Sequence, residues 1–154
     1  MKRFLTLILI FLAVLAGCGG LGGPREGKEL RQIGRALDLD LSGGTLVRFE
    51  DDHGGFHGDG KTVAEVALDS LAEELEGAPG WRPLPMTDSA ARAVRLCGEG
   101  GAPVEEGFYY LCDRHSESVD PYDDSKLHER YSWNFTAAVY DSKSGRLYFY
   151  EFDT

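Results

Sequence analysis

The chain has 154 residues, with 16 Lys and Arg against 26 Asp and Glu, so its net charge is −10. A protein that binds a nucleic-acid duplex needs a basic surface to displace counterions, and this acidic excess argues against nucleic acid as a partner. With 42% hydrophobic and 11% aromatic residues the composition is that of a globular protein, and the length suits one domain rather than two.

The beginning of the chain has the three parts of an export signal. Lys2 and Arg3 form a basic start, an apolar run over residues 4–16 is interrupted only by Thr6, and small residues follow. As a helix this run reaches only about 20 Å, short of the roughly 30 Å hydrocarbon core of a bilayer. We therefore expect residues 1–17 to be removed as a signal peptide rather than kept as a membrane span.

The apolar run ends in Leu15-Ala16-Gly17-Cys18, which resembles the lipobox of bacterial lipoproteins. In those proteins the cysteine thiol receives a diacylglyceryl group and the cysteine becomes the new N-terminus. The resemblance implies a lipid anchor at Cys18, with acyl chains such as palmitate, on the extracytoplasmic side of a bacterial cell membrane. An ordinary cleaved signal with an incidental cysteine is the alternative.

Residues 18–25 are rich in glycine and predict a flexible, lipidated tether. Removal of the signal peptide leaves a net charge of −12, so anionic lipid repels the protein body. Attachment to the membrane must then rest on acyl chains, and more than one chain is needed for stable anchoring.

The first half of the mature chain predicts a helix and two strands. Apolar residues three or four apart predict an amphipathic helix over residues 26–38, the alternating segment 45–50 predicts a strand, and the glycine-rich segment 51–60 predicts a loop. Residues 62–68 fit either a strand or the start of a helix. The capping box Ser70–Glu73 favours a new helix at Ser70, and hence a strand before it.

The second half predicts one more helix and a meander of three aromatic strands. Thr87 is the expected N-cap of a helix that ends at Cys97. The strands that follow are residues 108–113, 131–139 and 147–152. A turn with Gly145 at positive φ joins the last two. Residues 26–154 thus predict one α+β domain, an antiparallel sheet of about five strands with about three helices packed on one face.

Several segments of the mature chain carry a resemblance to a known family. They include Asp-His-Gly-Gly-Phe-His-Gly-Asp-Gly at 52–60 and Asp-Arg-His-Ser-Glu-Ser at 113–118, and further segments lie at 120–125, 130–132 and 150–154. Together they resemble a family of uncharacterised exported bacterial lipoproteins. The resemblance supports export and the strand over residues 62–68. It implies no catalytic residue, because no activity is established for that family.

Residues 55–62 fit the phosphate-binding pattern G-x-x-x-x-G-K-[ST], with Lys61 as its lysine. Three points count against a nucleotide site. Nucleotide triphosphates are scarce outside the cytoplasm, Asp51, Asp52 and Asp59 bring negative charge to the loop, and no series of βαβ units follows. We interpret Lys61 as a solvated residue at the entry to a strand.

The four histidines lie in or beside the two longest loops, where carboxylates are abundant. Imidazole with carboxylate suits zinc, and carboxylate-rich loops suit calcium, although the spacing is not diagnostic of either. The candidate ligands of a divalent metal are His53, His57 and His115. The wider set of candidate ligand-binding residues is His53, His57, Asp59, Asp113, His115 and Asp120.

Two other chemistries remain to be weighed. Hydrolysis needs a nucleophile within reach of a base. Ser116 adjoins His115, but neighbouring side chains usually point apart, and no G-x-S-x-G elbow is present.

Cys97 and Cys112 lie outside the cytoplasm if the chain is exported, so they can form a disulfide or remain two separate buried thiols.

The sequence therefore predicts a membrane-anchored, non-enzymatic binding module of unknown activity that uses the loops 51–60 and 113–130 to bind an envelope protein or another ligand. A small metal-dependent enzyme with His and Asp ligands in the same loops is the first alternative. A structural envelope protein without a ligand is the second.

Overall fold

The computed structural model describes residues 26–54, 58–98 and 104–154. The helices are α1 (Glu26–Leu37), α2 (Ala72–Leu75) and α3 (Asp88–Leu96), with a 3₁₀ helix at Asp124–Glu129. The strands are β1 (Thr45–Asp51), β2 (Gly60–Ala67), β3 (Trp81–Pro83), β4 (Gly107–Asp113), β5 (Phe135–Asp141) and β6 (Arg146–Asp153). None of the described helices is long and apolar enough to cross a membrane. The predicted signal peptide (residues 1–17) and the predicted tether (residues 18–25) lie outside the described residues.

The six strands form one antiparallel sheet in the order β1-β2-β6-β5-β4-β3. The α+β class with an antiparallel sheet is confirmed, with one strand more than predicted. The additional strand is β3, which pairs with Phe108–Tyr110 at the edge of the sheet. Its last residue is Pro83, and a proline in the sequence is more typical of a linker than of a strand. The edge of a sheet tolerates proline because no neighbouring strand needs the missing N–H.

Apolar cores lie on both faces of the sheet. Ile33 and Leu37 of α1 pack into one core, whereas Ala90 and Ala93 of α3 pack into the other. The prediction that the helices share one face is therefore wrong. The reason lies in β5, whose residues from Phe135 to Tyr140 are all buried, because a strand that is apolar on both sides needs cover on both.

The two cysteines lie on opposite sides of this sheet. Cys97 is 1% exposed in the core beneath α3, and Cys112 packs against the core beneath α1. Neither thiol is in a disulfide, and the thiol of Cys97 donates to the carbonyl oxygen of Ala93 at 3.7 Å. Of the two alternatives, the structure has separate thiols, and cysteines whose Cβ atoms point apart cannot be bridged without movement of the backbone.

Most predicted elements are present, with two differences at their ends. The strand predicted from Tyr131 begins at Phe135, and the residues before it belong to the preceding loop. The predicted capping box at Ser70 does not form: the N-cap of α2 is Leu71, which has no side-chain cap, and its N–H donates to the hydroxyl of Tyr140 at 3.1 Å.

The predicted cap and turn of the second half are confirmed. Thr87 caps α3, and its side chain accepts the Ala90 N–H at 3.1 Å. Gly145 has a φ of 64° in the turn from β5 to β6, where an added Cβ would lie 2.4 Å from the carbonyl oxygen of Leu68. Only glycine fits this turn without strain.

Both long loops leave the same end of the sheet, which we call the loop end. β1, β4 and β6 finish there, and β2 and β5 begin there, as the pairings show: Asp51 with Thr62, Gly60 with Asp153, Phe152 with Phe135, and Phe135 with Asp113. Candidate residues that are distant in sequence are thereby brought to one end of the sheet.

Candidate functional site

His53 lies at the loop end between two carboxylates from different strands. Its Nδ1 lies 2.7 Å from Oδ1 of Asp51, and its Nε2 lies 3.2 Å from Oδ2 of Asp153. The hydroxyl of Thr62 adds a contact of 3.3 Å to Nδ1. The first loop is therefore attached to β1, β2 and β6 through one imidazole.

Charge favours the protonated form of this imidazole. Burial lowers the pKa of His53, but the hydrogen bond with Asp51 and the negative charges of Asp51 and Asp153 outweigh burial and raise the pKa above its ordinary value. Burial also acts on Asp51 by raising its pKa, and the hydrogen bonds from His53 outweigh that effect and lower it. The two carboxylates thus stabilise the protonated imidazole relative to its neutral form.

Arg114 connects the second loop to the same carboxylate. Its Nη2 lies 2.9 Å from Oδ1 of Asp153 and 3.3 Å from Oε1 of Glu151, and it donates to the carbonyl oxygen of Phe135 at 3.2 Å. Asp153 thus contacts His53 of the first loop and Arg114 of the second. The two loops predicted to form one face are joined through this residue.

A second ion pair holds the base of the long loop. The side chain of Asp113 is 1% exposed, and its Oδ2 lies 3.3 Å from Nη2 of Arg130. Its other oxygen accepts the backbone N–H of His115 at 3.0 Å. Arg130 also lies 3.7 Å from the exposed Glu117. The buried carboxylate therefore ties the beginning of the loop to its end.

His115 is a packing residue in this structure. It is 4% exposed, its Nδ1 accepts the backbone N–H of Glu117 at 3.2 Å, and its ring meets Tyr131 edge to face with 4.9 Å between centroids. Tyr131 itself is 83% exposed. The Nδ1 of His115 is therefore occupied by a backbone amide.

The remaining candidates occupy different places. Asp59 lines a cavity of about 460 Å³ at the loop end, together with Asp52, Lys61 and Asp153. Asp120 is exposed and accepts the Tyr122 N–H at 3.0 Å, which is the role of a turn-forming aspartate. His57 lies outside the described residues.

The segment that fits a phosphate-loop pattern continues into a strand. A phosphate loop leads into a helix whose N-terminus faces the phosphates, whereas Thr62 belongs to β2. The ammonium group of Lys61 donates to the carbonyl oxygen of Cys97 at 3.1 Å. This lysine serves the C-terminal end of α3 rather than standing free in solvent.

Among residues 26–54, 58–98 and 104–154, no group of three or more His, Cys, Asp and Glu side chains is arranged to hold a metal ion. The site predicted from His53, His57 and His115 includes a residue outside those ranges and stays a prediction. Of its described members, His53 has both ring nitrogens beside carboxylates, and His115 has its Nδ1 on an amide.

The sequence interpretation missed the residues that join the loops: Arg114, Arg130, Glu151 and Asp153. A meander of β4, β5 and β6 was predicted. Pairing these three strands in register would have placed Arg114 near the end of β6. The pairing of β2 with β6 had no local signal, because it joins Gly60 to Asp153 across most of the domain.

No family model, curated protein or solved structure matches this chain.

Proposed function

We propose that this chain is a lipoprotein anchored through Cys18 on the extracytoplasmic side of a bacterial membrane, and that its domain is a non-enzymatic binding module. The binding face is the loop end of the sheet. The lipobox-like segment and the short apolar run before it support the anchor. The geometry of the loop end supports the module.

The observation that carries the binding module is the position of Asp153 between His53 and Arg114. The contacts of Asp153 with His53 and Arg114 hold the two loops together, which supports a preformed binding face. Loops held in this way lose little conformational freedom when a ligand binds, which favours affinity. An acidic, preformed surface with exposed side chains is the result.

The anchor is tested by fractionation of cells that express the whole chain. The proposal predicts that the protein sediments with membranes, that Cys18→Ala releases it or leaves it unprocessed, and that globomycin leads to accumulation of the precursor. Cys112→Ala is the matched control and should leave fractionation unchanged. Membrane fractionation unaffected by Cys18→Ala would contradict the anchor.

The binding face is tested by photo-crosslinking in intact cells. A photoreactive residue replaces Glu117, an exposed residue at the loop end, or Ser142, an exposed residue in the turn at the other end of the sheet. The proposal predicts adducts at position 117 that are absent at position 142. Adducts of equal yield at both positions would contradict a binding face at the loop end.

The small metal-dependent enzyme remains the second candidate, because His53 and Asp59 both belong to the first loop. Zinc or calcium is added to the purified protein, and the bound metal is measured by elemental analysis. Stoichiometric uptake that is lost in His57→Ala would favour this candidate over the binding module.

A further inference from the structure

Glu26, the first described residue, lies at the loop end. The first two turns of α1 lie beside the last residues of β1, and a cavity of about 540 Å³ between them is lined by Lys28, Gln32 and Phe49–Asp51. After α1 the chain reaches Gly44, which packs against Val66 near the other end of β2. α1 therefore begins at the loop end and runs away from it.

The tether is short compared with the domain. Eight residues lead from Cys18 to Arg25, immediately before α1. Eight residues can span at most about 28 Å. On the proposed lipid anchor, this length keeps Glu26, at the loop end, within about 28 Å of the bilayer surface.

The two most exposed large hydrophobic residues of the described chain belong to the second loop. They are Val119, which is fully exposed, and Tyr131, at 83%, whereas Val47 on β1 and Tyr122 are 49% and 37% exposed. Asp113 donates its backbone N–H to the carbonyl oxygen of Pro121 at 2.7 Å, so the residues between them, Val119 included, form a closed loop beyond the end of β4. Tyr131 packs on His115 of the same loop.

The charges of the loop end select among lipid surfaces. Its exposed carboxylates, among them Asp52, Asp59 and Glu117, are repelled by anionic headgroups but can pair with the ammonium groups that zwitterionic headgroups present outermost. Tyrosine is an amphipathic residue that favours the membrane–water interface.

We infer that the loop end is turned toward the bilayer and that its ligand is a zwitterionic lipid surface, contacted by Tyr131 and Val119. This inference rests on the proposed lipid anchor, and it names the partner of the proposed binding face. Although the acyl chains attach the protein, the contact orients it. From β1 to β4 the sheet end measures about 19 Å at 4.8 Å per strand, so Tyr131 lies well away from the point where the tether enters.

The test uses the full acylated protein in phosphatidylcholine vesicles that contain a nitroxide-headgroup lipid. Tyr131→Trp adds a fluorophore at the loop end, and Ser142→Trp adds one at the opposite end; the parent protein supplies the background from Trp81 and Trp133. The inference predicts that the lipid quenches the added emission of Tyr131→Trp at least about twofold more than that of Ser142→Trp. It also predicts that, at low salt, the emission of Tyr131→Trp is quenched less in phosphatidylglycerol vesicles than in phosphatidylcholine vesicles.

Equal quenching at both positions, or stronger quenching of Ser142→Trp, would overturn the inference. Absence of quenching at both positions would overturn it too, and would indicate that the loop end is free to bind a protein partner. Vesicle flotation separates this from failure of the anchor: a protein that floats without quenching retains its anchor, and one that does not float lacks it. Line broadening of the Val119 methyl signals of the unsubstituted protein by the same lipid is expected. Because this protein carries no substitution, sharp Val119 methyl signals would contradict the membrane contact directly.

Discussion

At the scale of single residues, the loop end depends on two carboxylates that do different work. Asp153 is partly exposed and contacts two cations from different loops, His53 and Arg114. Asp113 is buried and holds Arg130, so its charge is compensated inside the protein. Exposed ion pairs contribute little to stability, whereas removal of one partner of a buried pair is costly. The two sites should therefore respond differently to substitution.

His53→Ala should destabilise the protein in a pH-dependent way. Because the folded-state pKa of His53 is raised, its contribution is present below the ordinary value of 6.5 and is lost as the pH rises through the folded-state value. The pKa of Asp51 is lowered, so the contribution is also lost as the pH falls through the folded-state value of that carboxyl. Urea unfolding should show a cost of about 1 kcal/mol near pH 5.5 that declines toward pH 9. A cost that is constant between these pH values would contradict the ion pair.

Asp113→Ala should cost about 3 kcal/mol in the free energy of unfolding, because it leaves the guanidinium of Arg130 without its buried partner. Glu117→Gln is the matched control, since Glu117 is exposed and contacts the same arginine at 3.7 Å. Its cost should stay below about 0.5 kcal/mol. Similar costs for the two variants would show that burial of Asp113 does not set the strength of this pair.

At the scale of elements, the two predicted helix caps have different outcomes. Thr87 caps α3 and also donates its hydroxyl to Asp124 of the 3₁₀ helix, so one side chain joins two elements on the same face of the sheet. Ser70 caps nothing, because the chain at α2 is positioned by the hydroxyl of Tyr140 on β5. A tertiary hydrogen bond has replaced the local one.

Thr87→Ala should therefore cost about 1–2 kcal/mol, and Ser70→Ala should have an effect below about 0.5 kcal/mol, both measured by urea unfolding. Thr87→Ser keeps the hydroxyl and should retain most of the stability. If Ser70→Ala destabilises the protein as much as Thr87→Ala, the capping box forms in solution and the described N-cap at Leu71 is wrong.

At the scale of the whole molecule, local patterns predicted most elements and tertiary pairing determined the rest. The apolar spacing of α1, the alternation of β1 and the turn at Gly145 are short-range signals, and all three elements are present. The helices cover both faces because β5 is buried throughout, a property that shows only once its neighbours are known. Of the candidate site, His53 and Asp113 were found from residue type alone. Asp153, which joins the loops, depends on the pairing of distant strands.

Attachment to a membrane through Cys18 underlies both proposals, so the most direct measurement is the intact mass of the protein extracted from the membranes of cells that produce it. We expect a polypeptide that begins at Cys18 and carries the mass of a diacylglyceryl group on that residue. An unmodified polypeptide that still begins at Met1 and is recovered outside the membrane fraction would contradict this attachment.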